Sequence, residues 1–89
     1  MLRITTETTR FESTLRLEGR LAGPWVDELD RTWEELLAVR DAGSIRVDLD
    51  GVTFVSSSGK SLLRRIHREG ARLVAGGWMA RAIVEEIES

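Results

Sequence analysis

Cysteine is absent from this 89-residue chain, and histidine occurs only once, as His67. The lack of cysteine excludes disulfides, thiolate metal sites and cysteine nucleophiles, and it is typical of a reducing compartment. A single histidine cannot build a histidine-rich metal site. We therefore expect neither a metal nor a cofactor.

Long apolar runs and an excess of positive charge are also missing. No segment approaches the roughly 20 apolar residues that a membrane span needs, and the opening MLRITTETTR lacks the apolar stretch of a signal peptide. The 13 Lys and Arg residues stand against 15 Asp and Glu, a net charge of -2. That balance argues against nucleic-acid binding, which depends on neutralising phosphates. We expect a cytoplasmic protein with no direct membrane insertion.

A hydrophobic pattern that changes period along the chain is present instead. Alternation of apolar and polar residues predicts three strands with one dry face, and a short fourth strand is predicted at Arg72–Ala75. The alternating apolar residues are Leu2 and Ile4, then Leu15 and Leu17, then Ile45, Val47 and Leu49.

Helical spacing predicts three helices between and after these strands. The first starts at Pro24, carries Val26, Leu29, Trp33, Leu36 and Leu37 inward, and stops at Ala42-Gly43. The second runs from about Gly59 to Gly70 with Leu62, Leu63 and Ile66 inward, and the third covers Met79 to Glu88 with Met79, Ile83 and Ile87 on one stripe.

The resulting order β-β-α-β-α-β-α predicts a single α/β domain over residues 1–89. Strand-helix-strand units imply parallel pairing, so we expect a small mixed four-stranded sheet. Because the strands alternate, the helices should pack mainly on one face and leave Arg16, Arg46 and Asp48 on a wet opposite face.

The most informative segment joins the third strand to the second helix and contains three consecutive serines, Ser56, Ser57 and Ser58. A hydroxyl at a helix N-terminus lies beside free backbone N–H groups and the positive end of the helix dipole, where an added phosphate is favoured. The plainer interpretation is that these serines cap the helix. The segment therefore predicts either a switch or a cap.

This segment resembles the central motif of STAS domains, the fold of bacterial anti-sigma factor antagonists. The family's form is an apolar strand, Asp-Leu, then Asp-Ser-Ser-Gly opening a helix. The matching residues are Val47-Asp48-Leu49, Gly51 to Val55, and Ser56-Ser57-Ser58-Gly59.

The resemblance implies that Ser57 is the phosphate acceptor, followed by Ser58 and Gly59. Ser56 stands in place of the family's Asp, and Lys60-Ser61 stands in place of the common Leu-Gly. The missing Asp removes a group associated with kinase recognition or loop geometry. Conversely, Lys60 is placed to pair with a phosphate on Ser57.

Two further features predict a partner-binding surface. Lys60, Arg64 and Arg68 recur every four residues and place three cations on the outer face of the second helix, which suits an acidic partner or is simply a solvated face. Three loops are predicted to meet at one edge of the sheet, Leu21–Trp25, Val55–Gly59 and Gly76–Trp78, so Trp25 and Trp78 are predicted to flank the serines. They serve either as caps on the core or as binding anchors.

The resemblance implies a binding module rather than an enzyme. Some members of the family bind an anti-sigma factor or serine kinase until phosphorylation breaks the complex. Others are unphosphorylated subunits of larger assemblies, among them lipid-transporting ABC systems, where the partner is the transporter ATPase.

A nucleotide-binding alternative rests on Gly59-Lys60-Ser61, which ends the P-loop pattern G-x-x-x-x-G-K-[ST]. The first glycine of that pattern falls at Phe54, where a bulky ring would obstruct the phosphate cradle. This interpretation is therefore the remote one.

Overall fold

The computed structural model describes residues 1–89. The strands are β1 (Leu2–Thr8), β2 (Ser13–Leu21), β3 (Ile45–Val55) and β4 (Arg72–Val74), and the helices are α1 (Pro24–Leu37), α2 (Ser57–Arg68) and α3 (Trp78–Glu88). The α/β class and the element order predicted from the sequence are confirmed. None of the three helices is long and apolar enough to cross a membrane.

The four strands form one mixed sheet in the order β1-β2-β3-β4. β1 pairs antiparallel with β2 in an unbroken register, whereas β2 with β3 and β3 with β4 are parallel. Parallel neighbours require crossover connections, and α1 and α2 provide them. The β2–β3 pairing contains two register shifts, one after Arg16 and one after Gly19.

The core lies between one face of the sheet and the three helices. Trp33 of α1 is fully buried, and its indole Nε1 donates a hydrogen bond to Oε1 of Glu69 at 2.7 Å, so its one polar atom has a partner. The strand residues predicted to point inward are buried except for Ile4, which is half-buried. The fully buried side chains from the sheet are Ser13, Leu15, Leu17, Leu21, Ile45, Val47 and Leu49.

The opposite face of the sheet carries charged side chains, as the alternation predicted. Arg16 lies 2.9 Å from Glu7 and 3.7 Å from Asp48. Arg46 lies 3.3 Å from Glu12. These ion pairs are at least partly exposed to solvent, so the face stays wet and the helices occupy only one side.

Two details of the helices differ from the prediction. α1 ends at Leu37, and Ala42–Ser44 forms a separate 3₁₀ helix, because Val39 is 80% exposed and nothing apolar holds a further α-helical turn on the core. In α3, Met79 is 55% exposed and Ala80 is buried instead. Met79 and Ala80 each fall on one helical stripe with Ile83 and Ile87, so spacing alone does not show which of the two is buried.

Candidate functional site

The connection between β3 and α2 is a single residue, Ser56. Its backbone N–H donates to the carbonyl of Leu21 at 3.0 Å, which fastens the connection to the end of β2. Its side-chain Oγ accepts a hydrogen bond from the N–H of Gly59 at 3.1 Å, the bond of a helix N-cap. Because Ser56 caps the helix, α2 begins at Ser57, two residues before the predicted start at Gly59.

Gly59 is buried where the first turn of α2 presses on the ends of β2 and β3. A Cβ atom built on Gly59 would lie 2.9 Å from the carbonyl oxygen of Leu21 and 3.0 Å from Cγ1 of Val55. A backbone oxygen held in a sheet cannot retreat from such a contact, so only glycine fits. The glycine that follows the serines therefore has a packing role, which is to bring α2 close to the sheet.

The other two serines are exposed on the first turn of α2. Oγ of Ser58 lies 3.2 Å from Oγ of Ser56, within hydrogen-bond distance. The hydroxyl of Ser57 forms no hydrogen bond within the protein and projects into solvent. At this position the backbone N–H groups of the first turn have no helical acceptors and the helix dipole is positive. A negative group on Ser57 would therefore be electrostatically favoured.

Lys60 is directed toward α3. Its Nζ lies 2.9 Å from Oε1 of Glu86, and this hydrogen bond, with the charge of Lys60, holds the pKa of the Glu86 carboxyl below its ordinary value. The predicted contact of Lys60 with a phosphate on Ser57 would have to displace Glu86. The spacing of cations on α2 gave no indication of this carboxylate, because Glu86 lies 26 residues further along the chain.

The remaining cations of α2 divide into paired and unpaired side chains. Arg65 pairs with Asp30 and Glu34 of α1, the second at 3.7 Å. Arg64 and Arg68 form no ion pair. The predicted row of three cations is thus reduced to two unpaired guanidinium groups, Arg64 and Arg68, on an otherwise neutralised helix.

The two tryptophans predicted to flank the serines differ in exposure. Trp25 is half-buried, packs against the core and lines a cavity of about 590 Å³ together with Leu2 and Gly19. Trp78, the first residue of α3, is 81% exposed. Trp25 therefore caps one end of the core, whereas Trp78 contributes little to it.

The loop that carries Trp78 lies elsewhere than predicted. β4 ends at Val74 opposite Asp48, and the loop after it is bonded to Asp50 of β3, five residues before that strand ends at Val55. The loops after β2 and β3 meet at the serines, where the N–H of Ser56 donates to the carbonyl of Leu21. The prediction assumed that all parallel strands end together, but β4 has three residues and β3 has eleven.

Asp50 is the residue that holds this loop, and the sequence did not indicate it. One carboxylate oxygen, Oδ1, accepts hydrogen bonds from the N–H of Gly76 at 2.8 Å and the N–H of Gly77 at 2.9 Å. These bonds, the one from Gly77 first, lower the pKa of Asp50. β3 continues through Asp50 and Gly51 to Val55.

The geometry of a P-loop is absent from Gly59-Lys60-Ser61. All three residues lie within α2, and the strand-to-helix connection is one residue long. A phosphate cradle needs a glycine-rich loop whose N–H groups converge on the ligand. Here the N–H of Gly59 is bonded to Ser56 and Phe54 is still part of β3.

A mixed four-stranded sheet with three helices on one face is the fold of STAS domains, as the solved structures that match this chain show. No protein-family model and no curated protein sequence matches the chain. Solved structures do match. An anti-sigma factor antagonist from Mycobacterium paratuberculosis superposes with a TM-score of 0.78 over 99% of this chain and 79% of its own, at 18% sequence identity.

Two more solved structures have the same fold. The unphosphorylated form of the anti-sigma factor antagonist SpoIIAA matches with a TM-score of 0.66 over 93% of this chain and 82% of its own, at 20% identity. A STAS-domain anti-sigma factor antagonist from Rhodobacter sphaeroides matches with a TM-score of 0.51 over 89% of both chains, at 20% identity. At such low identity these similarities establish the fold, and the resemblance inferred from the sequence is confirmed at that level.

Proposed function

We propose that this chain is a non-enzymatic protein-interaction module of the anti-sigma factor antagonist type, which binds an anti-sigma factor or a serine kinase through α2 and the serines at its start. The observation that carries the proposal is Ser57, whose exposed hydroxyl lies at the first position of α2 and has no role in packing or hydrogen bonding. The shared fold with solved anti-sigma factor antagonists supports the same function.

Ser57 is the proposed switch residue. Phosphorylation would add a charge of about -2 at the centre of the contact surface, beside Ser56 and Ser58. Arg64 and Arg68, the unpaired cations of α2, suit an acidic partner. A phosphate on the same helix would offset their attraction and repel the partner's carboxylates, so binding would be lost.

Trp25 and Trp78 are secondary contact residues in this proposal. Trp78 has the exposure that an aromatic anchor requires, since 81% of it is accessible before any partner binds. Trp25 would contribute through the exposed part of its ring.

A second candidate is a constitutive, unphosphorylated subunit of a lipid-transporting ABC-type assembly, bound to the transporter ATPase. Two observations favour it. Ser56 replaces the Asp of the phosphorylated motif and caps α2 without any modification. Lys60, the nearest cation for a phosphate, is already paired with Glu86.

The experiment that separates these functions is a quantitative pull-down from the native organism's lysate with wild type, Ser57→Asp and Ser57→Ala as baits. Ser89→Asp is the matched control, because Ser89 is an exposed serine after α3, outside α2 and the serines at its start, and the substitution adds the same charge. Recovery of a serine kinase or anti-sigma factor by all baits except Ser57→Asp supports the switch. Equal recovery of a transporter ATPase by all four supports the second candidate.

Two direct measurements complete the test. Intact-mass analysis of the protein from its own cells, across growth conditions, should show a fraction carrying one phosphate that is absent from Ser57→Ala. Reversal of Arg64 and Arg68 to Glu should weaken partner binding and its salt dependence. If neither measurement changes, α2 is an ordinary solvated helix.

A further inference from the structure

The outer edge of β1 has no strand beside it. β1 is seven residues long, lies at the end of the sheet and pairs only with β2. Proteins usually protect such edges with proline, bulges, lysines or short strands. β4, at the other edge, has only three residues. β1 has no proline, no lysine and no register shift, and its only charged residues are Arg3 and Glu7, one of each sign.

The backbone hydrogen bonds show which residues of β1 point outward. Arg20 N–H donates to the carbonyl of Met1 at 3.0 Å, and Thr9 N–H donates to the carbonyl of Glu12 at 2.8 Å. In an antiparallel pair, hydrogen-bonded and non-hydrogen-bonded residues alternate. The odd-numbered residues of β1 therefore bond to β2, and the backbone groups of Ile4 and Thr6 face the open edge.

The charged side chains of β1 on the wet face favour one register for an antiparallel pair formed by the β1 strands of two copies. In a symmetric antiparallel pair centred on Thr5, Arg3 of each copy lies directly opposite Glu7 of the other. Opposite side chains in such pairs have Cβ atoms about 5 Å apart, and opposite charges there stabilise the pair. A pairing centred on Arg3 or on Glu7 would instead oppose like charges, and a pairing centred on Ile4 or Thr6 forms no charge pair.

The backbone agrees with the same register. Centring on Thr5 places Ile4 opposite Thr6 of the other copy, and these are the residues whose N–H and carbonyl groups face outward. They exchange the hydrogen bonds, while Arg3 and Glu7 fall at the closer, non-hydrogen-bonded positions. Glu7 is free to make the contact, because its side chain remains 54% exposed while it pairs with Arg16.

We propose that the partner of this edge is a second copy of the chain, joined through antiparallel β1 strands in the register centred on Thr5. The two four-stranded sheets then form one continuous sheet, with the helices of both copies on the same side. α2 and Ser57 lie away from this edge, so the proposal does not depend on the function of the serines. A single strand pair buries less area than a standard interface, and we expect a dissociation constant of the order of 100 µM.

The first test is sedimentation equilibrium over protein concentrations from about 10 µM to 1 mM. Wild type should show a monomer–dimer equilibrium. Arg3→Glu and Glu7→Arg should each weaken the dimer by about tenfold or more, because each substitution opposes like charges twice by symmetry. Arg10→Glu is the matched control for Arg3→Glu, since it makes the same charge change at an exposed residue beyond the strand and should leave the dimer unchanged.

Mixing the two charge-reversed variants gives the decisive result. In a heterodimer of Arg3→Glu with Glu7→Arg, both cross-strand pairs are again of opposite charge, so the mixture should dimerise although each variant alone does not. A wild type that is monomeric up to 1 mM, or a dimer that survives both single reversals, would overturn the proposal. Circular dichroism of each variant verifies that the fold is intact.

A further test removes a backbone N–H group of β1 without changing any charge. Thr6→Pro removes an N–H that faces the open edge, a position at which edge strands tolerate proline, whereas Thr6→Val keeps the N–H. Only the proline variant should lose the dimer. In wild type, amide hydrogen exchange at Ile4 and Thr6 should slow as concentration rises, while exchange at Thr5 stays constant. Concentration-independent exchange at Ile4 and Thr6 contradicts β1 pairing.

Discussion

Three junctions in this molecule lead from a strand into a helix, and those at the starts of α2 and α3 are held in different ways. At the start of α2, Ser56 caps the helix with its own side chain and Gly59 lets the first turn press on the sheet. At the start of α3 no local side chain caps the helix, and Asp50 of β3 binds the preceding loop from 26 residues away. The start of α2 thus depends on residues within one four-residue segment, whereas the start of α3 depends on a carboxylate that is distant in the sequence.

This contrast shows why one junction could be interpreted from the sequence and the other could not. The two junctions also differ in how they depend on pH. The hydroxyl of Ser56 keeps its function at any pH at which the protein folds, whereas Asp50 must be ionised to accept two N–H groups fully. We therefore expect the α3 junction to weaken in acid while the α2 junction does not.

The largest expected effect comes from adding one methyl group at Gly59, at the α2 junction. Gly59→Ala places a Cβ 2.9 Å from the carbonyl oxygen of Leu21, which should cost about 3 kcal/mol by overpacking and regain about 1 through alanine's helix propensity. Gly76→Ala is the matched control, because its Cβ would meet nothing closer than Oδ2 of Asp50 at 3.5 Å. Urea unfolding should show a loss near 2 kcal/mol for the first variant and none for the second.

The cap of α2 gives a smaller effect. Ser56→Ala should lower the free energy of unfolding by about 1 kcal/mol, because the N–H of Gly59 loses its acceptor. Ser56→Asp, the residue of the family motif, should keep the cap and restore stability. Ser61→Ala removes a hydroxyl from the same helix without touching the cap and serves as the control. Equal stability of the Ser56→Ala variant and wild type would show that water replaces the cap at no cost.

Asp50→Asn should destabilise the protein less than these changes and only where Asp50 is ionised. The folded-state pKa of Asp50 lies below its ordinary value of 3.8, so its contribution is complete above that pH and disappears as the pH falls through the folded-state value. Wild type and variant should therefore differ in stability at pH 7 and converge as the pH drops below about 4. A difference that stays constant down to pH 3 contradicts the charge-based account.

The smallest effect is expected at Trp78. Because 81% of this residue is exposed, Trp78→Ala should change the free energy of unfolding by no more than about 0.5 kcal/mol. Trp33→Phe is the informative contrast, since it leaves Glu69 without the indole N–H that it accepts at 2.7 Å. If Trp78→Ala lowers partner binding while leaving stability unchanged, Trp78 is a contact residue.

The sequence predicted those features that depend on neighbours along the chain. Alternation in Leu15-Arg16-Leu17 and in Ile45 to Leu49 predicted strands with one buried face, and the wet face with Arg16 follows from the same alternation. The helix cap at Ser56 and the exposed hydroxyl of Ser57 were also predictable from the sequence, because a cap involves residues only three apart.

Features that depend on contacts across the fold were not predictable in this way. The pairing of Lys60 with Glu86 and of Asp50 with Gly76 joins residues 26 apart, and no local pattern marks either partner. The position of Trp78 depended on how far β4 extends beside β3. The short strand itself was predicted, but its register along β3 depends on pairing across the fold and leaves no local signal in the sequence.

The one-residue connection at Ser56 has a consequence for the rate at which an enzyme would modify Ser57. An enzyme that binds its substrate as an extended segment can reach Ser57 only when the first turn of α2 has opened. If opening is fast compared with the transfer of a group to Ser57, the rate of modification follows the open fraction. A cap contribution of about 1 kcal/mol changes that fraction about fivefold. The strength of the hydrogen bond from Gly59 to Ser56 would therefore set how quickly the neighbouring hydroxyl is modified, independently of the enzyme's own turnover.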